Sequence, residues 1–127
     1  MIKLIREWLD VVSSGPAEAW SSYATADIVI RLPFAPPGVV SELRGRTHAI
    51  EALSGLWKAK KSFAWLDVVI RGTDDPELFV TTARSEAVLM SGQRYANSYV
   101  ILTRLKDRKV IEHVEYFNPL PVIEVFG

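Results

Sequence analysis

The sequence predicts an α+β domain in which a strongly curved antiparallel sheet wraps around helices that come first in the chain. Apolar residues recur at helical spacing near the start of the chain and again from Thr47. From Phe63 onward the period becomes two, in β-rich runs separated by the turn-like segments GTDDP, SGQ and KDRK. Strands joined by short turns pair antiparallel, so the second half of the chain is expected to form a four-stranded meander.

The predicted helices follow from apolar spacing and from the residues that stop them. The first helix carries apolar residues at intervals of three and four: Ile2, Ile5, Trp8, Leu9 and Val12. Gly15-Pro16 ends this helix and starts a second, which is expected to run from about Pro16 towards Tyr23. A third helix is predicted from Thr47, its expected N-cap, and ends near Lys58, Lys60 and Lys61.

The predicted strands begin with residues 27–34, which the segment APPG ends because proline cannot continue a ladder. A long loop follows before the third helix. The four later strands are predicted at residues 63–71, 78–90, 95–105 and 110–117. The apolar tail NPLPVIEVFG is too short for a stable free helix, so it is expected to dock on the body or on a partner chain.

Length and composition limit the classes of protein that the chain can represent. With 127 residues, 49 % of them hydrophobic, the chain fits one domain over 1–127. The 15 basic and 15 acidic residues cancel, which argues against nucleic acid or an anionic membrane as a partner. There is no cysteine and no membrane-length apolar run, so we expect a cytoplasmic protein without thiolate chemistry.

The expected sheet would enclose an apolar cavity where it curls around the helices, which is the usual place for a small ligand. A hydrophobic small molecule is therefore the expected partner. The side chains expected to contact it are His113, Phe117, Trp20, Trp8, Arg31 and Trp57.

Polar residues on predicted strands are the candidates for chemistry, because burying a charge is costly unless it is paired or used. Arg84 and Glu86 are two residues apart and share a face, and His113 and Glu115 share a face of the last strand. If these faces lie on the same side of the sheet, two carboxylates flank a guanidinium and one can act as acid while the other acts as base. The alternative is a salt bridge on the surface, and spacing alone favours that alternative.

Other kinds of site find little support in the sequence. His48 lies among polar residues at the start of the third helix and is expected to be structural. No His-x-x-His or Glu-x-x-His spacing is present, and neither are the G-x-S-x-G and Gly-rich phosphate motifs. We therefore expect neither a metal nor an organic cofactor.

Several segments resemble the SnoaL-like branch of the nuclear transport factor 2-like (NTF2-like) superfamily. They are PFAPPG before GRTHAIEAL, the run YANSYV and the ending EYFNPLPVIEVFG. The resemblance implies a cone-shaped, cystatin-like roll and a homodimer formed through the outer face of the sheet. The superfamily includes polyketide cyclases, ketosteroid isomerases, limonene-epoxide hydrolases, phenazine-biosynthesis proteins and non-enzymes, so the fold does not fix the function.

The resemblance also implies roles for single residues. TARSEAV and VEYFN are similar to the segments that carry the Asp-Arg-Asp site of limonene-epoxide hydrolase, which implies a Glu-Arg-Glu version made of Glu86, Arg84 and Glu115. The phenazine proteins place a catalytic Glu in a segment that also falls on Glu115. The residues that position water in the epoxide hydrolase fall on Val29 and Arg31, which does not support water activation.

The ketosteroid isomerase site is not reproduced in this chain. Its base, its oxyanion-hole Tyr and its second acid fall on Leu32, Trp8 and near Val100. Tyr95, Asn97 and Tyr99 share one parity, and the sequence leaves open whether they face the cavity or a partner subunit.

Two functions follow as hypotheses. In the first, the protein is a cofactor-free enzyme that hydrates an epoxide, or cyclises or isomerises a hydrophobic substrate. Glu115 would be its main acid or base, Glu86 its partner and Arg84 the orienting cation. In the second, it is a non-catalytic ligand carrier or dimeric interaction domain, and the same charges form a structural pair.

Overall fold

Six strands form one curved sheet accompanied by four α-helices in the computed structural model, which describes residues 1–127. The helices are α1 (Ile2–Ser14), α2 (Trp20–Tyr23), α3 (Arg46–Ala59) and α4 (Pro119–Phe126). The strands are β1 (Ala24–Arg31), β2 (Glu42–Arg44), β3 (Lys60–Gly72), β4 (Leu78–Leu89), β5 (Arg94–Lys106) and β6 (Lys109–Phe117). The α+β fold class is as predicted.

The strand order across the sheet is β2-β1-β6-β5-β4-β3. Strands β3 to β6 pair antiparallel with their neighbours in sequence, which confirms the predicted meander. The prediction of a wholly antiparallel sheet is wrong at one place, because β1 pairs parallel with β6. These two strands are far apart in the chain, so no short turn dictates their relative direction.

The strand β2 lies at one edge of the sheet, within the stretch predicted to be loop. It pairs antiparallel with the end of β1, and Leu43 at its centre is buried. Three residues are too few to display a period of two, which is why the pattern missed this strand. The first strand also begins earlier than predicted, at Ala24, and ends at Arg31.

The helix α1 packs one face against the sheet, and its predicted apolar stripe is the buried one. Ile5, Trp8 and Leu9 are at most 1 % exposed. The helix ends at Gly15, whose φ of 74° suits glycine and whose missing Cβ would lie 2.9 Å from the Trp57 ring. This glycine lets α1 and α3 approach each other.

The second predicted helix is only partly present. A 3-10 turn at Ala17–Ala19 leads into α2, a single turn of four residues. Eight residues starting at a proline are too few to sustain a regular helix without tertiary support. The third helix starts at Arg46 with Gly45 as its N-cap, rather than at the expected Thr47.

The core lies between the helices and one face of the sheet, which we call the inner face; the opposite one is the outer face. Trp8 and Trp20 are fully buried there and pack edge to face, with ring centroids 4.9 Å apart. Trp57 from α3 packs on Trp20 at 5.9 Å. This aromatic cluster joins α1, α2 and α3 over the inner face.

The apolar tail forms α4 and docks on the body of the same chain. The Asn118 side chain caps it by accepting from the backbone N–H of Leu120 at 3.0 Å, and Pro119 occupies a favoured first position. Val122 is buried, and the Phe126 ring contacts Tyr95 edge to face at 5.3 Å. None of the helices has the length and hydropathy that a bilayer crossing requires.

Candidate functional site

An apolar cavity of about 280 Å³ lies between the inner face of the sheet and helices α1, α3 and α4. Fifteen of its 19 lining residues are hydrophobic. Val39, Leu56 and Phe126 line it and are also exposed, at 38 %, 45 % and 45 %, so the opening lies among the β1–β2 loop, α3 and α4. A largely apolar cavity with few polar groups suits a small hydrophobic ligand.

Four of the residues predicted to form the site line this cavity. Glu115, His113 and Phe117 alternate along β6 and point inward together, and Trp57 contributes from α3. Glu115 is the only carboxylate in the lining, and its side chain is 19 % exposed. The other polar groups of the lining, apart from tyrosine hydroxyls and the bonded indole N–H groups, are His113, Lys60 and Ser13.

Arg84 and Glu86 lie on the outer face, so the expectation that they share a side with Glu115 is wrong. The buried residues of β4 alternate with Arg84 and Glu86, and they are Ala83, Ser85 and Ala87. Arg84 donates instead to Asp67 at 2.8 Å, and both side chains are mostly exposed, at 51 % and 72 %. The small residues point inward because large aromatic side chains of β3 and β5 already fill that space. The Glu-Arg-Glu arrangement is therefore not assembled.

Trp8, Trp20 and Arg31 do not line the cavity, which corrects three predicted ligand contacts. Trp8 and Trp20 lie within the core, beneath the cavity wall. Arg31 follows the inward-facing Ile30 and points to the outer face, where it forms ion pairs with Glu112 and Glu42. These pairs hold the Arg31 guanidinium away from any cavity ligand.

A hydrogen-bond chain connects the core to Glu115. The indole Nε1–H of Trp8 donates to Nδ1 of His113 at 3.1 Å, and Nε2 of His113 lies 3.1 Å from Oε1 of Glu115. An indole N–H can only donate, so Nδ1 carries no proton, and the proton of a neutral imidazole is on Nε2. His113 is thus a neutral donor to the carboxylate and not a cation paired with it, and its ring is only 1 % exposed.

The Trp8–His113–Glu115 hydrogen bonds fix which oxygen of the Glu115 carboxylate is available for chemistry. Oε1 of Glu115 is held by His113. No protein group bonds Oε2, which leaves that oxygen free within a largely apolar cavity. An oriented carboxylate with one free oxygen is suited to accept a proton from a bound molecule. His113, predicted to contact ligand, also positions Glu115.

Tyr95, Asn97 and Tyr99 face inward, and the two tyrosines line the cavity. Oδ1 of Asn97 accepts from the backbone N–H groups of Ser98 and Asn118, which fixes the orientation of its amide. Its Nδ2 therefore donates to the Tyr95 hydroxyl oxygen at 2.7 Å. Because this oxygen acts as acceptor, the phenolic proton of Tyr95 is available to an acceptor in the cavity.

Burial raises the pKa of both cavity tyrosines, strongly for Tyr99. Their folded-state pKa values lie above the unfolded value of about 10, so the stability linked to them is complete below that pH. As pH rises beyond about 10, the unfolded chain releases phenolic protons that the folded chain retains, and stability falls. We expect the urea-unfolding free energy to decrease between about pH 10 and 12, and less steeply in Tyr99→Phe. Equal slopes in the two proteins would contradict this assignment.

Lys60 and Tyr95 are site residues that the sequence analysis did not select. Lys60 reads as one of several lysines at the exposed end of a helix, yet β3 starts there and turns its side chain into the cavity. Burial lowers the pKa of Lys60, and the negative charge of Glu115 partly opposes that shift. The parity of Tyr95 with Tyr99 was a usable signal, but it did not reveal which face is inner. No group of three or more metal-ligating side chains is present, and His48 is exposed.

A curved α+β sheet wrapped around helices defines the class of this protein by its fold, which is the NTF2-like architecture. The model of the SnoaL-like domain matches residues 5–113, so the chain belongs to the SnoaL-like domain family. A PhzA/B-like protein of Pseudomonas aeruginosa is 28 % identical over 120 residues, which cover 94 % of this chain and 84 % of that protein.

Solved structures share this fold at low sequence identity. A candidate isomerase from Bacillus subtilis superposes with a TM-score of 0.84 at 19 % identity, covering 99 % of this chain and 91 % of that one. A candidate polyketide cyclase from Xanthomonas campestris superposes with a TM-score of 0.80 at 15 % identity, covering 99 % and 96 %. Other structural neighbours are NTF2-like proteins and a phenazine biosynthesis-related protein. At such identities the likeness concerns the fold, and activity has to be argued from the site.

Proposed function

We propose that the protein is a cofactor-free enzyme that moves a proton on a hydrophobic substrate bound in the cavity, with Glu115 as the acid–base group. The observation that carries this proposal is the Trp8–His113–Glu115 chain, which presents one free carboxylate oxygen to an apolar space. The alternative from the sequence, a salt bridge on the surface, would not require a buried hydrogen-bond series that orients the carboxylate. In catalytic sites, the reactive side chain is typically oriented by a hydrogen-bond partner that is itself oriented by a further hydrogen bond.

In the proposed reaction, Oε2 of Glu115 removes a proton from a carbon next to a substrate carbonyl. The Tyr95 hydroxyl donates a hydrogen bond to the carbonyl oxygen as negative charge develops there. The protonated Glu115 then returns the proton to another carbon of the same substrate. No proton is gained or lost overall, so the outcome is an isomerisation. If the carbanion instead attacks a second carbonyl carbon, a C–C bond forms, and the protonated Glu115 gives its proton to the alkoxide oxygen produced there, which completes a cyclisation.

Isomerisation or cyclisation is favoured over hydration of an epoxide. Hydration in the manner of the epoxide hydrolases uses one carboxylate to activate water and a second to protonate the epoxide oxygen. Glu86, the expected second carboxylate, lies on the outer face. Two structural neighbours are named as an isomerase and a polyketide cyclase, which is consistent with this preference. Those names describe the neighbours and not this chain.

The test offers the wild-type protein two panels of hydrophobic compounds. The first contains ketones with acidic C–H groups in heavy water, where deuterium uptake is followed by mass spectrometry. The second contains epoxides, where diol formation is followed. We expect catalysed uptake and no diol. Diol formation alone would overturn the proton-transfer assignment, and binding without either reaction would favour a ligand carrier, the second hypothesis from the sequence.

We also propose that two copies associate through the outer face of the sheet. That face carries the exposed apolar side chains Val69 and Val100, at 40 % and 43 %. We expect sedimentation equilibrium to report a dimer that Val100→Glu weakens at least about tenfold, because the substitution buries an unpaired charge. A monomer at high micromolar concentration would contradict the proposal.

A further inference from the structure

Lys60 places an unpaired cation inside the apolar cavity. Its Nζ donates to the Ser13 backbone oxygen at 2.7 Å and lies 4.3 Å from the centre of the Phe63 ring. An ammonium has three N–H donors, so two of them have no protein acceptor. None of the ion pairs in the molecule involves Lys60. Glu115, the one carboxylate of the cavity, is hydrogen-bonded to the neutral His113 and lies beyond ion-pair distance of the Lys60 Nζ.

An unpaired charge in such a place is costly unless something uses it. Lys60 is half-buried, and most of its surroundings are hydrophobic. Its bond to Ser13 lies at the carboxyl end of α1, where the helix dipole favours a cation, and this accounts for one of the three donors. The other two donors have no acceptor within the protein and are open to a group supplied from outside the chain.

We infer that Lys60 is the binding site for an anionic group, and that the ligand of this cavity is a hydrophobic molecule carrying one carboxylate or an equivalent anion. Glu115 carries the same sign as that group, so the anion is held at the Lys60 end and the uncharged part of the ligand lies towards Glu115. This inference rests on the cavity being the substrate site, as in the proposed function, and it adds the substrate class.

The test uses a matched pair of fluorescent probes, anilinonaphthalene sulfonate and its uncharged analogue phenylnaphthylamine. Both are aromatic and differ chiefly in the sulfonate. We expect the wild-type protein to bind the sulfonate more tightly. Lys60→Met should weaken sulfonate binding about tenfold or more, the range expected for a lost charge-assisted hydrogen bond in a poorly solvated site. Binding of the uncharged probe should change by less than about twofold.

Lys61→Met is the matched control, because Lys61 is adjacent and exposed. It should leave both affinities unchanged. If Lys60→Met does not fold, Lys60→Arg replaces it and should keep the preference for the sulfonate. Equal affinities of the wild type for the two probes, or parallel losses of both in Lys60→Met, would overturn the anion site. Deuterium uptake from uncharged ketones would still support the proposed function, so the two failures are distinguishable.

Discussion

Replacing Glu115 by Gln is expected to lower the rate of proton exchange by about 100- to 10,000-fold, the usual contribution of a positioned acid–base group. The amide keeps an oxygen that can accept from Nε2 of His113, so the fold and the cavity should persist. What it loses is the ability to take a proton from carbon. The measurement is deuterium uptake on the best ketone found for the wild type, with the thermal midpoint recorded for each protein.

Glu86→Gln is the control that separates the cavity carboxylate from the one on the outer face. It should retain the wild-type rate, because the Glu86 side chain points away from the cavity. Glu115→Asp should retain a fraction of the activity, since it keeps the carboxylate but withdraws it by about one methylene. A Glu115→Gln protein that exchanges at the wild-type rate would falsify the assignment, and a comparable loss in Glu86→Gln as well as in Glu115→Gln would restore the two-carboxylate hypothesis.

Most of the fold was accessible from the sequence because it depends on local periodicity. The run predicted for residues 78–90 matches β4 within one residue, since alternation and the flanking turns both lie inside the segment. The direction of β1 against β6 was not accessible. It depends on the packing of elements about 80 residues apart, for which no local signal exists.

Only part of the candidate site could be predicted from the sequence, for a related reason. Parity correctly grouped His113 with Glu115 and Arg84 with Glu86, because a strand alternates its side chains strictly. Parity cannot say which group faces the helices. On β4 the decision came from volume: Ser85 points inward and bonds the Tyr99 hydroxyl at 2.7 Å, in space that a guanidinium would overfill. Resemblance to the epoxide hydrolases placed the same residues at matching positions and could not reveal which face of the sheet those residues occupy in this chain.

Replacing Trp8 by Phe is expected to lower the exchange rate about 10- to 100-fold, although Trp8 does not touch the cavity. Outer hydrogen-bond partners that fix a histidine tautomer have effects of this size in metal sites, and the physical reason is shared. Without the indole N–H, Nδ1 of His113 becomes free to accept a proton. The tautomer with its proton on Nδ1 then becomes accessible, and in that tautomer Nε2 no longer donates to Glu115, so the carboxylate is no longer oriented.

Trp20→Phe is a closely matched control in the same aromatic cluster. Trp20 is also fully buried, but its Nε1–H has no acceptor in the protein. Both substitutions remove a similar volume, and only Trp8→Phe breaks a hydrogen bond. We therefore expect Trp8→Phe to lose about 1–3 kcal/mol more unfolding free energy than Trp20→Phe, which is the cost of leaving a buried acceptor unpaired.

Nitrogen NMR distinguishes a positioning role of Trp8 from a merely structural one. The chain has two histidines, so the His113 signals can be assigned by comparison with a His48 variant. In the wild type and in Trp20→Phe, Nδ1 should give an unprotonated signal and Nε2 a protonated one. In Trp8→Phe this pattern should be lost, because no donor then excludes a proton from Nδ1. If the Trp8→Phe spectrum kept the wild-type tautomer while activity fell, Glu115 alone would suffice to fix the proton on Nε2 of His113. The loss of activity would then come from altered packing, and the positioning role of Trp8 would be wrong.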